Sequence, residues 1–422
     1  MEAGRSSETP GAWAFLGALL LFGLLLRGMV AYLTVHYFDL SYYVDWSAGA
    51  ASDLFGAYEN LPNLDYPPLF LFLLQLTGKV LALPGADFPP YRMLALKGWQ
   101  MAFDLLLIPL IYLALRRSHR LAALGAAALW AVNPTGILNS SYWGQTDAIM
   151  MALLVLAFWQ LDAGRPAVAS AAMALGCLMK FQTLYFAPVF ALALLGVRPL
   201  KRLALSVGAG AAALLAVLLP FMVRSGVGLP WRIYFGGLER YKSASLNAFN
   251  FYAARGLNYK SADLPVLGAV PAETFSAVAL ALALGLLVLF WFTAGEKSVW
   301  LLGFWFMQTV FLFTTRMHER YQFPVLILGL AACVVHKSRG LFGCHLALVV
   351  MTFLNHFLMI QELLAKDKTA AWLPHYQPIA AALGWVNLAL YAWSFVEVLR
   401  VLYRGGFPAF RRPGREPPPS VA

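Results

Sequence analysis

The sequence predicts an all-α polytopic membrane protein, and three observations predict it. Of its 422 residues, 61% are hydrophobic and 12% charged, with a mean hydropathy of +0.68. A soluble domain carries about 25% charged residues. Apolar runs near the roughly 20 residues that a spanning helix requires recur along the chain. Basic clusters sit at the ends of these runs: Arg116-Arg117, Arg198 with Lys201-Arg202, Lys337 with Arg339, and Arg411-Arg412. Such clusters are the positive-inside signature. The net charge of +11 therefore speaks for membrane topology and not for nucleic acid.

Taken in order, the runs predict about twelve spans: 12–34, 97–115, 121–139, 147–162, 167–180, 184–197, 202–222, 267–293, 298–314, 322–336, 341–360 and 378–401. The first, beginning with Ala12–Leu26, has little positive charge before it and no small-residue cleavage site after it. It is expected to be a membrane helix and not a removed signal peptide. Leu69–Leu83 is shorter and follows Tyr66-Pro67-Pro68, so an interfacial or re-entrant helix is expected there. Leaving it out of the count places both termini and the basic clusters on one side, the cytoplasm. The long connections 35–96, 223–266 and 361–377 then lie outside, together with most of the acids. Residues 1–404 are expected to form one transmembrane domain, with juxtamembrane helices in the first outer loop, 35–96. Residues 405–422, rich in Pro and Arg, are expected to be a disordered cytoplasmic tail. Cys177, Cys333 and Cys344 stand in apolar stretches without metal-ligand spacing and predict buried thiols.

Five polar words interrupt the apolar text, and this threading puts all of them on the outer face: Asp39 to Trp46, Tyr142 to Asp147, Lys180-Phe-Gln182, Asn247-Ala-Phe-Asn250 and Arg316 to Tyr321. Polar and ionisable groups at membrane depth are expensive and mark function. In a helix starting at Asp39, Tyr42, Tyr43 and Trp46 share its face, whereas Asp45 at i+6 is turned about 240° away. Asp39 is thus either a helix cap or a general base beside an aromatic wall able to stack on a sugar ring. In Trp143-Gly-Gln145-Thr-Asp147, the indole offers a stacking face, and Gln145 and Asp147 suit vicinal hydroxyls. The competing role is a tryptophan belt followed by a helix cap.

Lys180 either snorkels or meets a phosphate. Arg316, His318, Glu319 and Arg320 form the densest outer charge cluster, and arginine suits bidentate phosphate recognition. His318 has no second histidine at ligand spacing, so no metal is expected. Arg27 and Asp104 lie equally deep in the first two spans, about 10 Å from their outer ends. Equal depth predicts an ion pair, either as a structural bridge or as part of a donor headgroup site.

These words in this order resemble the GT-C glycosyltransferases, in particular the group similar to the second mannosyltransferase of GPI-anchor synthesis and its bacterial relatives. The resemblance rests on Asp39 with Trp46, Tyr66-Pro-Pro68, Trp143 to Asp147, Lys180-Phe-Gln182, Asn247 to Asn250 and Met317 to Tyr321, and covers nearly the whole chain. It implies a GT-C bundle and a hexose, mannose by default, moved with inversion from a polyprenyl-phosphate donor to a lipid or glycan acceptor on the extracytoplasmic face. Asp39 would be the base, with Asp45 the alternative. Lys180, Arg316, Arg320 and His318 would hold the donor phosphate. Trp46, Tyr42, Trp143, Gln145, Asp147, Asn247, Asn250 and Glu319 would bind sugar or acceptor. No cofactor is required by such chemistry, and a monophosphate donor makes a divalent metal less necessary. The lack of a retrieval signal at the C-terminus favours a bacterial inner membrane over the endoplasmic reticulum. Two rivals are a transporter or flippase of lipid-linked sugars, which would show repeats or broken helices at the midplane, and an oligosaccharide ligase using a lipid diphosphate.

Overall fold

The computed structural model describes residues 10–34, 37–366 and 373–405. The expected tail from 406 onward, and Asp367 of the last outer connection, lie outside the described residues. The chain packs as two compact units, one of residues up to Thr183 with Leu200–Gly237, the other of Leu184–Pro199 with Leu238 onward.

The first unit opens with α1 (Pro10–Leu33) and α2 (Tyr37–Ser52), followed by short α3 (Ala57–Asn60) and α4 (Pro68–Leu81). The connection 35–96, expected to be the first outer loop, is largely helical over its described residues. Pro68 stands at the start of α4, where its missing N–H and fixed φ suit a helix. Gly78 lets α4 close on α2: a Cβ there would meet the Ser47 carbonyl at 2.1 Å. Tyr43, Trp46, Phe70, Leu71 and Leu74 fill the seam, with Tyr66 and Phe70 rings 4.9 Å apart.

Helix α5 (Pro89–Leu115) starts earlier than its apolar run because Pro89 and Pro90 initiate it. It is followed by α6 (Arg120–Ala131) and α7 (Pro134–Ile137), the latter continuing as a π-helical turn, Leu138–Trp143. Asn133 caps α7, its Oδ1 accepting from the N–H groups of Thr135 and Gly136 at 2.9 and 3.3 Å. Then come α8 (Asp147–Asp162) and α9 (Pro166–Met179). After α10 (Ala187–Leu195), which belongs to the second unit, α11 (Leu200–Ser225) and α12 (Leu229–Arg240) return to the first.

The second unit continues through α13 (Phe251–Ala254), α14 (Ala272–Thr293), α15 (Val299–Phe313), α16 (Phe323–His336), α17 (Arg339–Lys366) and α18 (Leu373–Leu402). Its only sheet structure among the described residues is small. Ser245–Leu246 pairs in parallel with Met317–His318, and Pro265–Leu267 pairs antiparallel with Val270–Pro271. Buried amides fix the loop before α13. Asn355 Nδ2 donates to the Asn247 carbonyl at 2.6 Å, and Asn387 Nδ2 donates to that of Phe249 at 2.8 Å.

Six helices are long and apolar enough to cross a membrane: Gly11–Leu33, Pro89–Leu115, Leu200–Ser225, Ala272–Thr293, Arg339–Glu362 and His375–Leu402. A seventh is possible if Arg120–Ala131 and Pro134–Trp143, bent by 42°, form one span. Of the remaining expected spans, four correspond to helices of 14–16 residues, and the one at 184–197 to α10, of nine residues. At 1.5 Å per residue the four reach about 21–24 Å, short of a hydrocarbon core of about 30 Å. Large apolar side chains point outward on the long helices, with Leu25 65%, Val223 80% and Phe292 73% exposed. Such surfaces suit lipid and not water, so the chain is an all-α membrane protein.

Candidate active site

Within the first unit, the early aspartate and the tryptophan–glutamine word meet. Asp39 lies in the first turn of α2, where a carboxylate is favoured by the helix dipole. Trp143 Nε1 donates to its Oδ2 at 2.7 Å, and Gln145 Nε2 donates to the same oxygen at 2.5 Å. Oδ1 takes part in neither bond. Two side-chain donors thus fix the carboxylate's orientation and leave its second oxygen for another partner.

The turn that brings both donors to Asp39 has a specific local cause. The π-helical stretch Leu138–Trp143 ends at Gly144, whose φ is +82°. Only glycine adopts that region at no steric cost. A Cβ there would also lie 2.9 Å from Leu40 and 3.2 Å from the Lys97 stem. π-helical turns occur most often at functional sites.

Asp147 and Lys180 are buried and face each other. Lys180 Nζ donates to Asp147 Oδ1 at 2.7 Å, and Asn139 Nδ2 donates to its Oδ2 at 3.0 Å. The lysine expected on a phosphate and the aspartate expected on sugar hydroxyls are an internal ion pair. Gln145 Oε1, Thr146 Oγ1, Gln100 Oε1 and Gln182 Oε1 are buried without a hydrogen-bond partner among the described residues. Buried polar atoms are normally satisfied, so each of these oxygens is free to bond water or a ligand hydroxyl.

The aromatic residues of α2 divide differently from their periodicity. Trp46 is 4% exposed, its indole N–H donates to the Pro62 carbonyl at 3.1 Å, and Tyr43 and Tyr66 flank it. Its faces are used in packing. Tyr42 is 39% exposed, with its ring centroid 5.5 Å from that of Trp46. Asp45 is exposed and makes no ion pair or hydrogen bond among the described residues.

Arg27 and Asp104 form a direct pair, Nε to Oδ2 at 2.8 Å, with both side chains fully buried. Trp130 Nε1 and Ser140 Oγ also donate to Asp104, at 3.0 and 2.8 Å, and Arg27 donates to the Ala131 carbonyl at 2.9 Å. This network ties α1, α5, α6 and the π-helical turn together, so it holds the turn that presents Trp143.

In the second unit, Arg316 donates to Glu273 Oε1 at 3.0 Å and Arg320 to Glu319 Oε1 at 2.9 Å. Each expected phosphate arginine therefore already faces a carboxylate. His318 packs its ring against Tyr241 and Tyr321, with centroids 5.3 and 5.2 Å apart. Asn250 caps α13, its Oδ1 accepting from the N–H groups of Tyr252 and Ala253. Asn247, with φ +60°, donates its side-chain amide to Tyr259 at 2.8 Å and receives one from Asn258 at 3.2 Å. Both asparagines expected on sugar are engaged in holding the loop. Burial, then the charges of Glu319 and Glu362, push the Tyr259 phenol up, against the pull of Arg320. Glu362 is buried and belongs to this polar group, although nothing in its sequence neighbourhood sets it apart. No cluster of three or more metal-ligating side chains occurs among the described residues.

The chain matches no protein-family model and no curated protein.

Proposed function

We propose that this protein is a GT-C-type glycosyltransferase of about twelve spans. It would move a hexose, mannose by default, from a polyprenyl-phosphate donor to a lipid or glycan hydroxyl on the extracytoplasmic face. A bacterial inner membrane with both termini cytoplasmic is the proposed setting. The observation that carries the reading is the double hydrogen bond from Trp143 and Gln145 to one oxygen of Asp39. It gives the chain an oriented carboxylate with its other oxygen uncommitted, which is what a general base requires.

In the proposed step, the acceptor oxygen attacks the anomeric carbon from the face opposite the phosphate. Its proton passes to Asp39 Oδ1 as the new C–O bond forms. The bond from the anomeric carbon to the phosphate oxygen breaks, and its electron pair leaves with the polyprenyl phosphate. Charge thus grows on the phosphate and is consumed at the carboxylate. Exposed Tyr42 and the unsatisfied oxygens of Gln145 and Gln182 are suited to sugar hydroxyls, which donate to such acceptors. The Lys180–Asp147 pair would form the wall of this site and not its phosphate contact.

The test is incubation of purified protein with labelled polyprenyl-phosphate hexoses and a membrane lipid extract, followed by mass spectrometry. A glycolipid heavier by one hexose supports the reading. Exchange of lipid-linked sugar across liposomes with no new product would replace it with a flippase.

A further inference from the structure

We infer that Lys97 is a binding residue for a lipid-borne phosphate, the group that is a diester in the donor and a monoester in the leaving polyprenyl phosphate of the reaction proposed above, and the inference rests on that reading. Lys97 is fully buried in α5. Its Nζ donates to the Thr34 carbonyl at 2.9 Å and to the Thr34 hydroxyl at 3.2 Å. Ion pairs of the first unit include those of Arg27 with Asp104, of Lys180 with Asp147, and of Arg224 with Asp53 and Glu59. None involves Lys97. Both other buried cations of this unit have a carboxylate; this one has only a carbonyl and a hydroxyl.

Its position gives the missing anion a place. The lysine stem lies against Gly144, the residue between Trp143 and Gln145, and those two are the donors that hold Asp39. The stem therefore borders the turn that presents those donors, while the amine lies on Thr34 and makes no ion pair with Asp39. One turn along α5, Gln100 is buried with its side-chain oxygen unsatisfied, so polarity on this face continues beyond the lysine.

The simpler role is a cap on the last carbonyls of α1, which a lysine can serve. That role uses two of the three N–H donors of an ammonium group and leaves its charge uncompensated. Burying a charge without an opposite partner is costly. A phosphate would supply both the missing charge and an acceptor for the third N–H. A fixed ammonium there would also stabilise the charge that develops on the leaving phosphate.

The experiment reads binding, not turnover. Full-length protein in nanodiscs of neutral lipid is titrated with polyprenyl monophosphate, polyprenol and phosphatidylglycerol. Polyprenyl monophosphate is expected to bind about tenfold more tightly than polyprenol, a difference of about 1.4 kcal/mol. Lys97→Met should abolish that preference and Lys97→Arg should keep most of it. A Lys97→Met protein that retains the preference overturns the inference while leaving the donor class intact. Wild-type protein with no preference overturns the donor reading and this inference with it. Equal, Lys97-dependent binding of phosphatidylglycerol identifies a headgroup site and overturns the assignment to the donor.

A second measurement needs no variant to fold. Acylation of Lys97 in wild-type protein by an amine-reactive ester is read by mass spectrometry. Protection by polyprenyl monophosphate and not by polyprenol is the expected result. Equal labelling under both, or labelling under neither condition nor in the free protein, places the amine out of the ligand's reach and overturns the inference.

Discussion

Trp143 donates its indole N–H to Asp39 Oδ2 at 2.7 Å, across 104 residues of sequence. Gln145 adds a second donor to the same oxygen, so the turn ending at Gly144 orients the proposed base. Gln145→Ala should lower kcat about a hundredfold, the scale of loss expected when a reacting group is misplaced by about 1 Å, and should also raise KM for the donor, whose sugar loses the Gln145 side-chain oxygen. Steady-state kinetics separating kcat from KM checks this; an equal kcat would remove Gln145 from the positioning of Asp39.

The Lys180–Asp147 pair is buried, with side-chain exposures of 4% and 2%. Removing one partner of such a pair leaves an uncompensated charge, at a cost of about 3–5 kcal/mol. Lys180→Met should therefore lower the melting midpoint sharply, and adding Asp147→Asn should recover much of the loss. A Lys180→Met protein of normal stability with weakened donor binding would return Lys180 to the phosphate.

Asn250 accepts two backbone N–H bonds at the start of α13. Asn250→Ala should cost about 1 kcal/mol, as loss of a cap does, with no change in KM for donor or acceptor. Thermal unfolding beside steady-state kinetics distinguishes this from a sugar contact, whose loss would raise KM at normal stability.

Tyr58 and Tyr234 lie outside the long apolar helices, and burial is the first cause that pushes each phenol up. A folded-state pKa raised above the unfolded value of about 10 means that the folded protein holds the proton more tightly. The associated stability is fully present below about pH 10 and is lost as pH rises through the folded values. The melting midpoint should stay level on this account up to about pH 10 and fall above it, and Tyr58→Phe should make that fall shallower. An unchanged alkaline slope in Tyr58→Phe would show that this phenol does not contribute to the alkaline loss.

The sequence made the long helices readable because each carries an unbroken apolar run, and the Arg27–Asp104 relation readable because single charges stand out in such runs. Partners across the chain were less accessible. Lys180 reads as a snorkelling residue or a phosphate ligand, and its contact with Asp147, 33 residues away and 2.7 Å distant, has no local signal. Periodicity places Trp46 on the face of Asp39 but does not say that α4 covers that face. The cap at Asn250 had a local signal, an asparagine just before a short helix, which the sugar-binding interpretation overrode. Lys97 was hidden by arithmetic: the apolar run begins there, so it reads as a flanking residue, whereas α5 starts at Pro89 and takes the lysine inside. The twelve-span count needs short helices to serve as crossings, whereas six helices, or seven with the bent pair, are long and apolar enough by themselves.

The most direct measurement is hexose transfer from labelled polyprenyl-phosphate hexose to a lipid acceptor by wild-type, Asp39→Asn and Asp45→Asn proteins at matched expression and melting midpoint. Transfer by wild type and by Asp45→Asn, with at least about a thousandfold loss in Asp39→Asn, within the range that general-base catalysis contributes, is the predicted result. Full turnover in Asp39→Asn, or loss only in Asp45→Asn, would contradict the assignment of Asp39 as the base.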